Sequence, residues 1–149
     1  MSLPDAHDKA IIAELQRDGR APYSTIAETV GLSETAVRKR VKRLTDAGVM
    51  QIVAVTDPTQ LGFARQAMIG IRVTGEIEAV AEALSALPEV DYVVITAGTY
   101  DVLAEVVCES DAHLLELVSR RIRGIDGVHD TDTLMYLKLQ QQTYAWGVR

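Results

Sequence analysis

The sequence predicts an α+β protein in two domains. Residues 1–50 form an N-terminal helix-turn-helix domain of winged-helix-like type, 51–65 a connector, and 66–149 a ferredoxin-like β-α-β-β-α-β domain. Three observations predict it. Up to Gly48, apolar residues recur at helical spacing in three short runs. From Gln66 onward, β-branched runs alternate with two amphipathic ones. The charge divides at the same place: residues 1–50 carry 8 Lys/Arg against 7 Asp/Glu, and residues 66–149 carry 6 against 13.

Asp5 can cap the first helix, whose apolar stripe is Ile11, Ile12 and Leu15. Asp18-Gly19-Arg20-Ala21-Pro22 ends it, the glycine offering a left-handed cap and the proline blocking continuation. The second helix runs from about Ser24 to Val30, with Ile26, Ala27 and Val30 inward. Gly31-Leu32-Ser33 makes a tight connection, and Ser33 is a good N-cap for the third helix. In that helix Glu34 sits in the first turn, at the positive end of the dipole. Val37, Val41 and Leu44 form the core face, and Gly48 closes the helix.

In the connector, Val49 to Val55 is β-prone and can form a strand, which Thr56-Asp57-Pro58 breaks. Strands are then expected over Ala67–Val73, Val90–Ala97, Asp101–Cys108 and Val128–Leu139. One helix is expected over Glu76–Leu87, burying Ile77, Val80, Ala81, Leu84 and Leu87 and stopped by Pro88. Another is capped by Ser110 and runs to Ile122, burying Leu114, Leu115, Val118 and Ile122. This order is the split βαβ arrangement.

The chain has 149 residues, is 48% hydrophobic and 24% charged, and has one cysteine, which excludes a disordered chain, a fibre and a disulfide scaffold. No apolar run reaches the roughly 20 residues of a membrane helix. Met1-Ser2-Leu3-Pro4-Asp5 lacks the basic and apolar regions of a secretory signal, so a cytoplasmic location is expected.

The net charge of −6 argues against nucleic acid until its distribution is read. Arg38, Lys39, Arg40, Lys42 and Arg43 put five positive charges into six positions of the third helix. That helix presents Ser33, Glu34, Thr35, Arg38, Lys39 and Lys42 outward. Early exposed positions can reach base edges of duplex DNA, and later basic ones, the run through Arg40 and Arg43 included, suit phosphates. The bland alternative is a solvated basic face. The small Ala27, the cap and the apolar stripe favour DNA.

A β-α-β-β-α-β unit leaves one sheet face bare. Met68, Ile69, Ile71, Val73, Val93, Ile95, Val102, Leu103, Val106, Leu134, Met135, Leu137 and Leu139 are too many apolar residues for one face, so a second copy is expected to cover the other. The turn Gly98-Thr99-Tyr100-Asp101 allows two readings. Its amides can hold a carboxylate and Asp101 an ammonium, with Thr131 and Thr133, on one face of their strand, donating hydroxyls. It can equally be a plain hairpin turn. His7, His113 and His129 lack metal-ligand spacing, and no metal or cofactor is expected. Cys108 reads as a buried thiol, Glu76, Glu78 and Glu82 as the wet face of a helix, and Tyr144 and Trp146 as packing residues. No catalytic or nucleotide-binding motif is found, so no enzyme is expected.

The motifs together resemble the Lrp/AsnC, or feast/famine, family of transcription regulators over nearly the whole chain. Asp8, Ile11, Leu15 and Asp18-Gly19-Arg20 are similar to the family's opening helix. Ile26-Ala27, Val30-Gly31-Leu32-Ser33, Val37, Arg40-Val41 and Leu44 are similar to its helix-turn-helix. Gly48-Val49-Met50 resembles its Gly-Val-Ile, and Leu61-Gly62 the end of its hinge. Gly98-Thr99-Tyr100-Asp101 matches its glycine-x-tyrosine-aspartate motif, and Thr131 and Thr133 its spaced threonines. Met50 stands for the usual isoleucine and Gln51-Ile52 for a common glycine-tyrosine pair, departures confined to the hinge. The resemblance implies a C-terminal RAM domain, homodimers that assemble into tetramers or octamers, and a small effector, usually an amino acid, bound between dimers. A regulator responding to an amino acid is therefore expected. The alternatives are a DNA-organising protein without effector and an enzyme on a ferredoxin-like dimer.

Overall fold

The computed structural model describes residues 3–144, 147 and 148. It contains two compact units, Met1–Val55 with Gln141–Arg149, and Thr56–Gln140. The division falls inside the expected connector, and the tail from Gln141 groups with the first unit.

In the first unit, α1 (Ala6–Arg17), α2 (Tyr23–Val30) and α3 (Glu34–Asp46) enclose a core of Ile11, Leu15, Ile26, Ala27, Val37 and Val41. Leu44 is buried as well. The caps explain the boundaries. Asp5 and Asp8 form a reciprocal capping box at the start of α1. The Ser33 hydroxyl accepts from the Ala36 amide at 3.2 Å at the start of α3. Gly31, at φ 71°, makes the left-handed turn between α2 and α3 that a side chain would resist.

Three expectations for this unit need correction. α1 does not end on a left-handed Gly19; its cap is Asp18 in extended conformation, whose carboxylate accepts from the Arg20 amide at 2.8 Å. Val49 to Val55 is not a strand: no partner strand pairs with it among the described residues, and a lone strand has no ladder to stabilise it. Ile52, Val53 and Val55 are exposed. Tyr144, expected to pack, is exposed, and Trp146 lies outside the described residues.

The second unit opens with a 3₁₀ turn at Pro58–Leu61, capped by Asp57. Four antiparallel strands follow, β1 (Arg65–Val73), β2 (Val90–Ile95), β3 (Val102–Cys108) and β4 (Val128–Met135), in the order β2-β3-β1-β4. α4 (Ile77–Ser85) and α5 (Asp111–Glu116) cover one face. Beneath them lie Ala67, Ile69, Ile71, Val102, Ala104, Val106 and Cys108, packed on Val80, Leu84, Leu117 and Ile122. This is the split βαβ fold.

The long second helix departs from expectation. After Glu116 the chain continues as a π-helical segment, Leu117–Ile122. Its wider turn brings Leu117 and Ile122, five residues apart, to one face; both are buried, and Leu115 is exposed instead. β4 ends at Met135, four residues early, with Leu137 and Leu139 exposed beyond it. The apolar excess of the strands also shrinks. Ile69, Ile71, Val102 and Val106 are in the helix-side core, with Val73 and Val93 packed against it. Register places Gln66, Met68, Gly70 and Arg72 of β1 on the open face with Leu103, Glu105, Asp130, Asp132 and Leu134. That face is mixed, with an apolar patch of Met68, Leu103 and Leu134 beside charged residues.

Candidate nucleic-acid interface and effector turn

α3 turns Val37, Val41 and Leu44 inward, which leaves Thr35, Arg38, Lys39 and Lys42 on the far side, all exposed. The exposed Ser33 and Glu34 stand at its N-terminus. Arg38 pairs with Glu34 at 2.7 Å and lies 5.2 Å from the centroid of the Tyr23 ring on α2. Lys42 pairs with Asp46 at 2.6 Å. Both are exposed i,i+4 pairs, worth about 0.3–0.5 kcal/mol each, so a phosphate or a base edge can replace the carboxylate cheaply. Lys39 makes no ion pair among the described residues.

Arg40 and Arg43 are placed differently from the expected phosphate-facing run. Arg40 Nη1 donates to Asp5 Oδ2 and to Asp8 Oδ1, both at 2.7 Å. Arg43 Nη2 donates to Asp8 Oδ2 at 2.6 Å, and the Asp5 amide donates to the same oxygen at 3.0 Å. Asp8 is 1% exposed. Burial pushes its carboxyl up, but the hydrogen bonds from Arg43, Arg40 and the Asp5 amide outweigh it and hold the pKa at about 2. Breaking a buried pair of this kind from one side costs about 3–5 kcal/mol, an order above the exposed pairs. Asp8 had a signal in the sequence: with Ile11 and Leu15 it falls at i, i+3 and i+7, so it lies on the apolar stripe. A carboxylate there must find a partner.

In the second unit the turn after β2 is tied down by its flanks. The Thr96 hydroxyl donates to the Tyr100 carbonyl at 2.6 Å, and the Thr96 amide to the Asp101 carbonyl at 2.9 Å. The Asp101 amide donates to the Ile71 carbonyl at 2.9 Å, and Asp101 Oδ2 accepts from the Val73 amide at 2.8 Å. Val73 follows a register shift in β1, so its amide takes a side-chain acceptor there. Asp101 thus has a structural task besides any ligand. Gly98 and Thr99 are exposed at the tip.

Tyr100 covers Gly70 on the open sheet face, with the Arg72 guanidinium 5.0 Å from its centroid. The neighbouring Asp132 carboxylate, with desolvation, raises the pKa of the Tyr100 hydroxyl. Arg72 also pairs with Asp130 at 2.7 Å and Asp132 at 3.2 Å. Thr131 and Thr133 pair with Ile71 and Ile69 and so lie on the opposite face, with the helices. Thr131 is buried and accepts from Arg123 Nε at 2.9 Å. Within one chain the threonines and the Tyr100 ring therefore sit on opposite sides of the sheet. The Gly70–Tyr100 contact was missed in the sequence, although a glycine inside a strand is a mark of close approach.

Cys108 is buried in the core, where burial raises its pKa. No group of three or more His, Cys, Asp or Glu suited to a metal occurs among the described residues. No helix of the described residues is long and apolar enough to cross a membrane.

A helix-turn-helix with a basic exposed side, carried on one chain with an α+β domain, defines the class: a helix-turn-helix DNA-binding regulator. Residues 5–45 match the AsnC-type helix-turn-helix domain. Residues 63–149 match a C-terminal dimeric alpha+beta barrel domain of AsnC-type transcription regulators. The chain is 34% identical over 146 residues to the HTH-type transcriptional regulator FL11 of Pyrococcus horikoshii, 96% of each chain being covered. It superposes on the leucine response regulatory protein LrpA of Mycobacterium tuberculosis with a TM-score of 0.85 and 29% identity, over 93% of this chain and 95% of that one. A transcriptional regulator of Neisseria meningitidis in complex with L-Met gives 0.82 and 26%, over 96% and 95%. The chain belongs to the Lrp/AsnC family of transcription regulators.

Proposed function

We propose that this regulator reads duplex DNA with the exposed side of α3 and responds to an amino acid bound at the Gly98–Asp101 turn. The observation that carries the DNA half is the layout of α3. Thr35, Arg38, Lys39 and Lys42 share its exposed side, and their ion pairs among the described residues are weak surface ones. Ser33, Glu34, Thr35 and Arg38 are early enough to meet base edges. Lys39 and Lys42 suit phosphates.

The effector half rests on complementarity. A zwitterion needs donors for its carboxylate and an acceptor for its ammonium. The exposed Gly98 and Thr99 offer backbone donors, and Asp101 keeps a second oxygen, Oδ1, beside the one that accepts from Val73. Thr133, exposed on the side of the sheet away from Tyr100, reaches such a ligand only from another copy, whereas Thr131 is buried on Arg123. The similar regulator of Neisseria meningitidis, solved with L-Met, supports an amino acid as the ligand class. A second copy covering Met68, Leu103 and Leu134 fits the dimeric domain matched above, and a ligand between copies would couple binding to assembly up to a tetramer or octamer.

A thermal-shift screen of the twenty amino acids tests the effector half. A stabilising hit, confirmed by calorimetry, is the expected result. The absence of any hit removes the effector and leaves a DNA-organising protein. Sedimentation as a stable monomer at micromolar concentration would contradict the self-association.

A further inference from the structure

We propose that Asp8 sets how many cations this helix-turn-helix brings to DNA, by holding Arg40 and Arg43 against α1 and away from the phosphate backbone. The inference rests on α3 being the DNA-reading helix. It adds a residue on α1 that sets affinity and salt dependence through two arginines of α3.

The charge count is local. Five basic residues crowd into positions 38–43, but Asp5 and Asp8 form a four-membered cluster with Arg40 and Arg43 that is neutral as a whole. Two geometric facts separate this cluster from an ordinary surface pair. Arg40 Nη1 is shared by two carboxylates at 2.7 Å, and its side chain is only 28% exposed. Both Asp8 oxygens are engaged, Oδ1 by Arg40 and Oδ2 by Arg43 and the Asp5 amide, on a side chain that is 2% exposed. An arginine that left for a phosphate would take a charged partner from a buried carboxylate. Arg38 and Lys42 carry no such penalty, since Glu34 and Asp46 are at least half exposed and water takes over their solvation.

Phosphate contacts raise affinity for every sequence alike, whereas base contacts discriminate. Keeping two arginines out of the phosphate set therefore lowers affinity for every sequence, non-target DNA included, and leaves the base-reading side of α3 unchanged.

The test is the salt dependence of binding by the full-length protein to a duplex of arbitrary sequence, read by fluorescence anisotropy, with circular dichroism as the check on folding. Each arginine freed to meet a phosphate steepens the slope of log K against log salt by about 0.9. Asp8→Asn should steepen it by about 1–2 and tighten non-specific binding at low salt. A merely structural role for Asp8 would weaken binding and leave the slope flat or shallower, and that result overturns the proposal. Arg43→Gln supplies an arm that needs no change at Asp8. It should leave the wild-type slope unchanged, and a slope flattened by about 0.9 would place Arg43 on DNA and overturn the proposal. Lys39→Ala in the same series should flatten the slope; indifference there overturns the reading of α3 on which the proposal rests, separately from the masking itself.

Discussion

The ring of Tyr100 lies over the backbone of Gly70, so closely that a methyl group on Gly70 would stand 2.7 Å from three of its ring carbons. The contact joins the turn after β2 to the middle of β1. It also sets the ring beneath the Arg72 guanidinium. The glycine-x-tyrosine-aspartate turn is thus anchored twice, by Tyr100 on Gly70 and by Asp101 on the Val73 amide.

Gly70→Ala should displace the ring and destabilise the second unit by about 1–3 kcal/mol, the usual cost of overpacking. Tyr100→Ala should cost stability as well, but the double variant should cost clearly less than the sum, because the clash is gone once the ring is removed. Denaturant unfolding of the four proteins reads this. Strict additivity would show that the two residues do not meet.

The Asp8 cluster predicts an acid dependence. An unfolded aspartate titrates near pH 3.9, whereas folded Asp8 titrates at about 2. The folded pKa is depressed, so the stabilisation is complete above the unfolded value and is lost as pH falls through the folded one. At neutral pH, Asp8→Asn should cost about 2 kcal/mol, and the difference from wild type should shrink as pH falls toward 2. Unfolding curves for the two proteins across this range check it. A gap that stayed constant down to pH 2 would mean that the Asp8 carboxyl titrates alike in the folded and unfolded protein, against the cluster described above.

Much of the first unit was legible because its signals are local. Asp5, Ser33 and Gly31 each act within a few residues of themselves, and the helical stripes name the core. Failures came where distant partners decide. Val49 to Val55 has strand propensity but no neighbouring strand, and propensity alone does not make a strand. The π-helical segment shifted the buried position from Leu115 to Leu117, a change of phase that a regular period does not register. Arg40 and Arg43 read as part of a basic run because their partners, Asp5 and Asp8, lie more than thirty residues away in sequence. The division of the strands between two sheet faces needed the register.

Asp101 offers a test that separates its structural task from a ligand. Asp101→Asn keeps an oxygen for the Val73 amide and removes the charge, so the fold should survive with little change in melting temperature. Affinity for the amino acid found in the screen should fall at least tenfold, as expected when a charge-assisted bond to an ammonium is lost. Calorimetry decides it; equal affinity for wild type and variant would put the ligand elsewhere.

Ser33→Ala should lower the stability of the first unit by about 1 kcal/mol through loss of the cap on the Ala36 amide. It should also loosen the start of α3, so DNA affinity should fall with stability. Unchanged thermal unfolding would mean that another group caps the helix.

The most direct test of α3 as the reading helix is equilibrium binding of the Arg38→Ala, Lys39→Ala double variant to an operator duplex, beside wild type, with circular dichroism and sedimentation confirming unchanged fold and assembly. The loss of one base contact costs about 1–3 kcal/mol, so affinity should fall by roughly tenfold or more. Binding as tight as wild type, with the same salt dependence, would contradict the assignment of α3 to DNA.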